Sequence, residues 1–423
     1  METCDVAVLG AGLTGLCAAR DLEEAGVNVV LLEGRDRVGG RTWSKPFEAA
    51  GCTVDLGAEW LAPHHHKALV RELTRYGIGI ESSETANEST NRTLSGSEIT
   101  SFPSLLNQLD KIARTVKVHD PAWYRDLDRF DISVAQYLEG LSAEPEDEIL
   151  LLTHGFALQG ADPAQYSLIN LLHEFASFGG SAEAFFAAEC RIAGGAQALS
   201  IVLAEVLGAR LRLNWQIESV LQTETGLLIQ GPSAQLHAHQ VIVALPVNVM
   251  RDLTLDFPLP QAALSVIAEG HVGRAAKGWA GANMASPVES VGWPHAVEVY
   301  SRDGIRSRAV CTFAVATPDH SQALKLSWDA VLERHREITF TGEFLSHDWL
   351  SDPFARGSWL SAAPDQFRGL HQLADMPPPC VFAGGDLSRG WYGWMEGAVT
   401  SGADAAKRIL AYRERGEKLP ASA

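Results

Sequence analysis

Short apolar runs alternate along this chain with stretches in which apolar residues recur every three or four positions. Val6, Ala7, Val8 and Leu9 form the first run, the length of a buried strand. Leu13, Leu16, Cys17, Ala19 and Leu22 then fall on one side of a helix, and Gly26 ends the pattern. A second run, Val29 to Leu32, stops at Glu33. Gly51 to Trp60 alternates like a strand closing on glycine, and a helix carrying His64, His65 and His66 is expected to run to Tyr76. Residues 81–102 are polar and weakly periodic, and read as a loop or edge hairpin. From Pro103 to Arg191 the pattern is helical, with dense apolar stretches at 149–156 and 168–178. A helix is expected to start at Gly194 to Leu199. Gln216 to Val220 and Leu227 to Gln230 read as paired strands with a turn at Gly226, and Val241 to Leu245 as a buried strand. Strands and one helix should occupy 262–350, before a last strand at Cys380 to Ala383 and a final helix beginning near Met395.

The turn between the first strand and helix is Gly10-Ala11-Gly12-Leu13-Thr14-Gly15. Strand, glycine turn, helix, strand and acid in that order make a dinucleotide-binding unit. Gly10 allows the sharp turn, Gly12 lets backbone approach a pyrophosphate, and Gly15 lets the helix lie close to the strand. The helix N-terminus offers unpaired N–H groups to phosphate, and Glu33 can accept hydrogen bonds from a ribose. Such a glycine string alone is a weak signal; its position between two strands and ahead of an acid makes it specific. Gly34, Arg35, Arg37, Gly39, Gly40, Arg41 and Thr42 follow directly. Two of the arginines can reach a pyrophosphate as bidentate donors, and the glycine pair lets N–H groups approach a ring.

Length and charge narrow the class. A chain of 423 residues suggests two or three domains. The apolar strand begins so early that no leader is expected, no apolar run approaches a membrane span, and the cytoplasm is the default location. Six cysteines without a CxxC pair read as reduced, buried small residues. A net charge of −18 argues against a nucleic-acid partner. Three adjacent histidines on a helix would point about 100° apart, so no metal site is expected there.

With GAGLTGL, Glu33, RVGGRTW and the later GGDLSRGWYGWMEGAVTSG in view, the chain resembles the flavin-containing amine oxidases, the family of monoamine, polyamine and 6-hydroxynicotine oxidases. The resemblance runs nearly end to end and is looser between residues 85 and 235. It implies an α/β fold: a dinucleotide-binding, glutathione-reductase-like FAD domain from residues 1–80, 194–260 and 350–423. A second domain, a mixed β-sheet with a helical roof over the substrate, would come from 81–193 and 261–349. Beside the glycine and arginine motifs it places Gly57, Ala58, Glu59, Trp60, Val220, Trp349, Gly385, Asp386, Met395 and Ala398 at the cofactor. Lys277 matches a family lysine held near flavin N5 that assists reaction with oxygen. Trp359 and Trp394 take the two positions of an aromatic cage for the amine. His154, His173 and Glu174 in the helical region could reach substrate, against a satisfied core or surface role that is the stronger reading of such residues. Ser358 stands where the monoamine oxidase branch attaches its flavin through cysteine, so the resemblance here implies FAD held without a covalent bond.

The implied reaction is oxidation of a C–N bond in a small, aromatic or alicyclic amine. Hydride passes to flavin N5, leaving an imine, and oxygen or a redox protein takes the electrons, oxygen being reduced to hydrogen peroxide. A homodimer is left open. An L-amino acid oxidase would need an arginine fork for the carboxylate, for which Arg114, Arg125 and Arg191 are available. A polyamine oxidase would need acids along the tunnel. A flavin monooxygenase usually wants a second glycine motif, which is missing, and a non-catalytic flavoprotein would leave Lys277 and both cage tryptophans without purpose.

Overall fold

The computed structural model describes residues 2–82, 103–118, 120–141, 145–316 and 319–415. The first two apolar runs become the parallel strands Glu2–Leu9 and Val29–Leu32, joined by the helix Leu13–Glu24. Neither strand alternates because the sheet is covered on both faces. Val6 and Val8 pack with Leu16, Ala19 and Leu22 on one side, while Ala7 and Leu9 join Leu236 and Phe382 on the other. Glu2–Leu9 also pairs in parallel with Gln235–Val243, and that strand pairs in parallel with Cys380–Phe382 and antiparallel with Gly226–Gln230. One eight-stranded sheet thus gathers strands from three distant parts of the sequence.

A second sheet is antiparallel and five-stranded, in the order Glu289–Val291, Glu298–Asp303, Arg308–Val315, Ala275–Asn283, Thr339–Ser346. The helices Pro103–Ala113, Pro145–Gln159 and Leu168–Phe178 share a separate apolar core around Leu109, Leu151, Leu171 and Phe175. The final helix, Met395–Glu414, lies against Leu13–Glu24. A Cβ at Gly402 would stand 2.4 Å from the Thr14 carbonyl oxygen, and the Thr14 hydroxyl donates to the Ala398 carbonyl at 2.9 Å. Small residues therefore set how closely this helix approaches the glycine turn. No helix among the described residues is long and apolar enough to cross a membrane.

Several expected boundaries move. The histidine run is a turn, not a helix: His65 and His66 bond back to Ala62, and the helix is Lys67–Arg75 with His66 as its N-cap. The glycines 194 and 195 take positive φ and form a turn, so that helix begins later, as Ala198–Leu207. The paired strands are Ser219–Thr223 and Gly226–Gln230, with Gly226 inside the second rather than at the turn. The loop or hairpin expected at 81–102 lies outside the described residues apart from the end of the strand Ile80–Ser82.

Candidate active site

One cavity of about 490 Å³ runs between the two sheets and the helical region. Its first end is the glycine turn. Gly10 has φ +99°, and a Cβ there would meet the Ala244 carbonyl oxygen at 2.8 Å; a Cβ on Gly15 would fall 1.9 Å from the Gly10 carbonyl oxygen. A Cβ on Gly12 would meet no protein atom within 4 Å, since that residue faces the cavity. Gly12 gives the helix no side-chain cap, so the first N–H groups of Leu13–Glu24 remain for an anion. Glu33, almost fully buried, accepts the Ala11 N–H at 2.8 Å and the Arg35 N–H at 2.9 Å. Its carboxylate therefore stiffens the turn while lining the cavity.

Of the expected cofactor residues, all but Gly15, Arg37, Val220 and Asp386 line this cavity. Gly15 acts through packing, as just described. Val220 is in the apolar core, and the neighbouring Gln216, Ile217 and Glu218 reach the cavity instead. The Asp386 carboxylate holds Arg41 at 2.7 Å and the Val247 N–H at 3.2 Å. Burial pushes its pKa up, but the Arg41 charge outweighs this and holds it below the ordinary value. Arg41, so fixed, lines the cavity, whereas Arg37 turns away to lie over Trp43 at 4.1 Å.

Midway along the cavity, Lys277 is buried on the strand Ala275–Asn283. Its ammonium donates to Glu59 at 2.6 Å and to the Gly57 carbonyl at 3.2 Å. Glu59 also accepts from the Tyr300 hydroxyl at 2.5 Å and pairs with Arg191 at 3.4 Å. Burial works against the ammonium, but the Glu59 carboxylate outweighs it and holds the Lys277 pKa above the usual value. Burial likewise opposes ionised Glu59, and the two cations hold its pKa down. A buried carboxylate between two cations fixes one lysine charge beside the cavity.

The far end is apolar and aromatic. Trp60, Leu158, Ala275, Phe313, Trp359 and Trp394 line it, and Ser358 lies at the same wall. The Trp359 N–H donates to the Leu158 carbonyl at 2.6 Å. No ring–ring contact joins Trp359 and Trp394 among the described residues. Glu298 was not anticipated from sequence, yet it lines the cavity. It stands opposite Phe313 on the next strand, and Phe313 stands opposite Lys277, so the three form one row across the sheet. Nothing short of that strand pairing would have found it.

The helical-region candidates fall elsewhere. His154 is buried against Phe185, with ring centroids 5.0 Å apart, and His173 packs on Trp123 at 4.4 Å. Neither lines the main cavity. Glu174 lies behind Trp394, accepting its indole N–H at 2.5 Å. Arg114 and Arg125 are exposed, and Arg191 pairs with Glu59 and lies over Trp60 at 5.3 Å. None of the three lines the cavity as a carboxylate fork would.

Burial lifts the Glu174 carboxyl to about 8, against the pull of its two N–H donors. A carboxyl raised on folding stabilises most below its unfolded pKa of about 4.3. That contribution is lost as pH rises through about 8. The melting temperature of the protein minus that of Glu174→Gln is therefore expected to fall between pH 5 and pH 8.5. Thermal melts across that range check it; a flat difference would contradict it.

The geometry fits a flavin dinucleotide. An uncapped helix end and Arg41 suit a pyrophosphate, Glu33 suits a ribose, and a fixed cation and aromatic wall follow at the other end. Residues 13–410 match the family model described as flavin containing amine oxidoreductase. The (S)-6-hydroxynicotine oxidase of Paenarthrobacter nicotinovorans is 28% identical over 428 residues, covering 96% of this chain and 99% of that protein. A putrescine oxidase solved with putrescine bound superposes with a TM-score of 0.80 at 26% identity, covering 97% of this chain and 99% of the other. Cyclohexylamine oxidase from Brevibacterium oxydans superposes at 0.83 with 22% identity over 97% of this chain and 100% of that one, a likeness of fold.

Proposed function

This chain belongs to the flavin-containing amine oxidoreductases, whose cofactor is FAD, and on that premise we propose that it oxidises a compact, largely neutral ring-bearing amine to an imine. The observation that carries the reading is the single cavity joining the glycine turn to Trp359 and Trp394 past Lys277. When bound, the flavin supplies a two-electron acceptor for the carbon next to nitrogen. The protein's share is binding and orientation. Gly12, the helix end, Glu33 and Arg41 hold the dinucleotide. Trp359 and Trp394 flank the amine with apolar faces that also tolerate residual positive charge. Lys277 keeps a positive charge where electrons pass to the acceptor, oxygen in this proposal, which leaves as peroxide. No side chain in the cavity has to act as base once the amine is neutral.

A second reading comes from Glu298. A carboxylate at the substrate end favours a substrate with a second basic group, as putrescine is for the structural relative. Anaerobic mixing with a panel of amines tests the activity: bleaching of the flavin absorbance, with peroxide formed on admitting air, is the expected result. No bleaching by any amine would contradict it.

Ser358 lines the cavity, and its hydroxyl accepts the Ala275 N–H at 3.1 Å. A serine cannot form a thioether to flavin. Acid or heat should therefore release all FAD into the supernatant; yellow colour remaining with the precipitated chain would contradict non-covalent binding.

A further inference from the structure

We propose that Glu174, which does not line the cavity, is the positioning residue for Trp394, and that residues 158–160 tie this ring to Trp359 so that the two are set as one unit. The proposal rests on the reading of these tryptophans as the walls of the amine site. An indole has one N–H, in the ring plane, so a single short hydrogen bond to it fixes how the ring is turned. The Trp394 N–H donates to Glu174 Oε1 at 2.5 Å, and Glu174 Oε2 accepts from Gln159 Nε2 at 2.7 Å. Glu174 and Gln159 are 6% and 4% exposed, so bulk solvent does not compete for these bonds.

The other ring is held from the same segment. The Trp359 N–H donates to the Leu158 carbonyl at 2.6 Å, and Gly160 lies flat against its ring. Gly160 has φ +58°, and a Cβ there would stand 2.5 Å from Trp359 Cζ2. Three consecutive residues thus reach one tryptophan directly and the other through Glu174. Among the described residues the ring contacts of Trp394 are His66 at 4.9 Å and Phe178 at 5.5 Å between centroids, which limit its position but accept no bond from its N–H.

The carboxyl itself sits among neutral groups. A cavity of about 10 Å³, enough for one water, separates it from Tyr392 and Ser177. His173 adjoins it on its own helix, and Tyr166 is buried in the apolar core that this helix helps form. No lysine or arginine pairs with it among the described residues. Among the described residues its hydrogen bonds are those from the two N–H donors, one from Trp394 itself and one from the residue beside Leu158.

The test uses holoenzyme carrying Glu174→Leu, Glu174→Gln, Gln159→Leu or Trp394→Ala, with the fastest-oxidised member of a panel containing cyclohexylamine and benzylamine. Crystal structures give the ring orientation without any substrate. Glu174→Leu is expected to turn the indole and raise KM about tenfold, with kcat changed by less than about threefold and the flavin content unaltered. Glu174→Gln should keep both the ring and KM near those of the parent, since its amide oxygen accepts the same bond. Gln159→Leu should raise KM by a smaller factor, and it carries the test if Glu174→Leu does not fold. An unmoved indole with unchanged KM in Glu174→Leu, or in Gln159→Leu where that variant carries the test, overturns the proposal. So does a Glu174→Gln as damaging as Glu174→Leu, because the bond would then not be what matters. A Trp394→Ala that keeps FAD and an unchanged KM would overturn the wall reading and the positioning role with it. A raised KM there beside a silent Glu174→Leu would overturn the positioning role alone.

Discussion

Lys277→Met is expected to slow reoxidation of the reduced enzyme by oxygen by about a hundredfold or more, the scale of removing one preorganised charge from a buried site. Anaerobic reduction by substrate should change by less than about tenfold, because no hydrogen is taken from the amine by Lys277. The ammonium is fixed by Glu59 at 2.6 Å and by the Gly57 carbonyl at 3.2 Å, and burial keeps water from screening it. Methionine leaves Glu59 with Arg191 and Tyr300 only, so a loss of several kcal/mol of stability should accompany the kinetic effect. Lys277→Met with Glu59→Gln should lose further stability, because buried Arg191 is then left without its carboxylate, and should not recover the oxygen rate. Stopped-flow traces of both half-reactions check this. Equal slowing of the two, or of neither, would remove Lys277 from that role.

Trp394→Ala should lower kcat/KM for the preferred amine by about ten- to a hundredfold, the worth of one large apolar face against a ring. Bound FAD should stay at one per chain. Trp394 is the N-cap of the final helix in an extended conformation that alanine also adopts, and the glycine turn lies elsewhere along the cavity. The neutral Glu174 carboxyl loses a donor but retains Gln159, which limits the damage to folding. Flavin absorbance per chain, read beside steady-state kinetics, separates a lost wall from a lost cofactor.

What could be read in the sequence was chemistry confined to short segments. The turn from Gly10 to Glu33 is contiguous, and each glycine's constraint comes from atoms a few residues away or from the next strand. Lys277, Trp359 and Trp394 came through motif resemblance, and all three line the cavity. The rest depends on pairings that no local pattern encodes. Glu298 enters the cavity only because two strand registers align it with Phe313 and Lys277. Asp386 was expected at the cofactor through its backbone N–H or its carboxylate, because it ends a strand in glycine and acid; the carboxylate is bonded to Arg41 from the other end of the chain. Glu174 was a substrate candidate weighed against a satisfied core or surface role, and which of the two it takes depends on a contact no local pattern encodes: it accepts the Trp394 indole N–H. The histidine run was read as the start of a helix reaching Tyr76; local bonds back to Ala62 form a turn first.

The substrate class is the central claim, and relative kcat/KM values for three amines test it most directly. Cyclohexylamine or benzylamine, putrescine, and L-phenylalanine should be compared in one peroxide-coupled assay at one pH. The aromatic wall, and the lack of a cavity-lining fork from Arg114, Arg125 or Arg191, predict that a ring amine exceeds the amino acid by at least about tenfold, or 1.4 kcal/mol. A carboxylate between the apolar tryptophan faces without an arginine to answer it would cost several kcal/mol, Lys277 being already paired with Glu59. Putrescine should also trail the ring amine; if it leads, and Glu298→Gln abolishes that lead, the carboxylate rather than the tryptophan pair sets the substrate. An amino acid preferred by about tenfold or more would contradict the account outright.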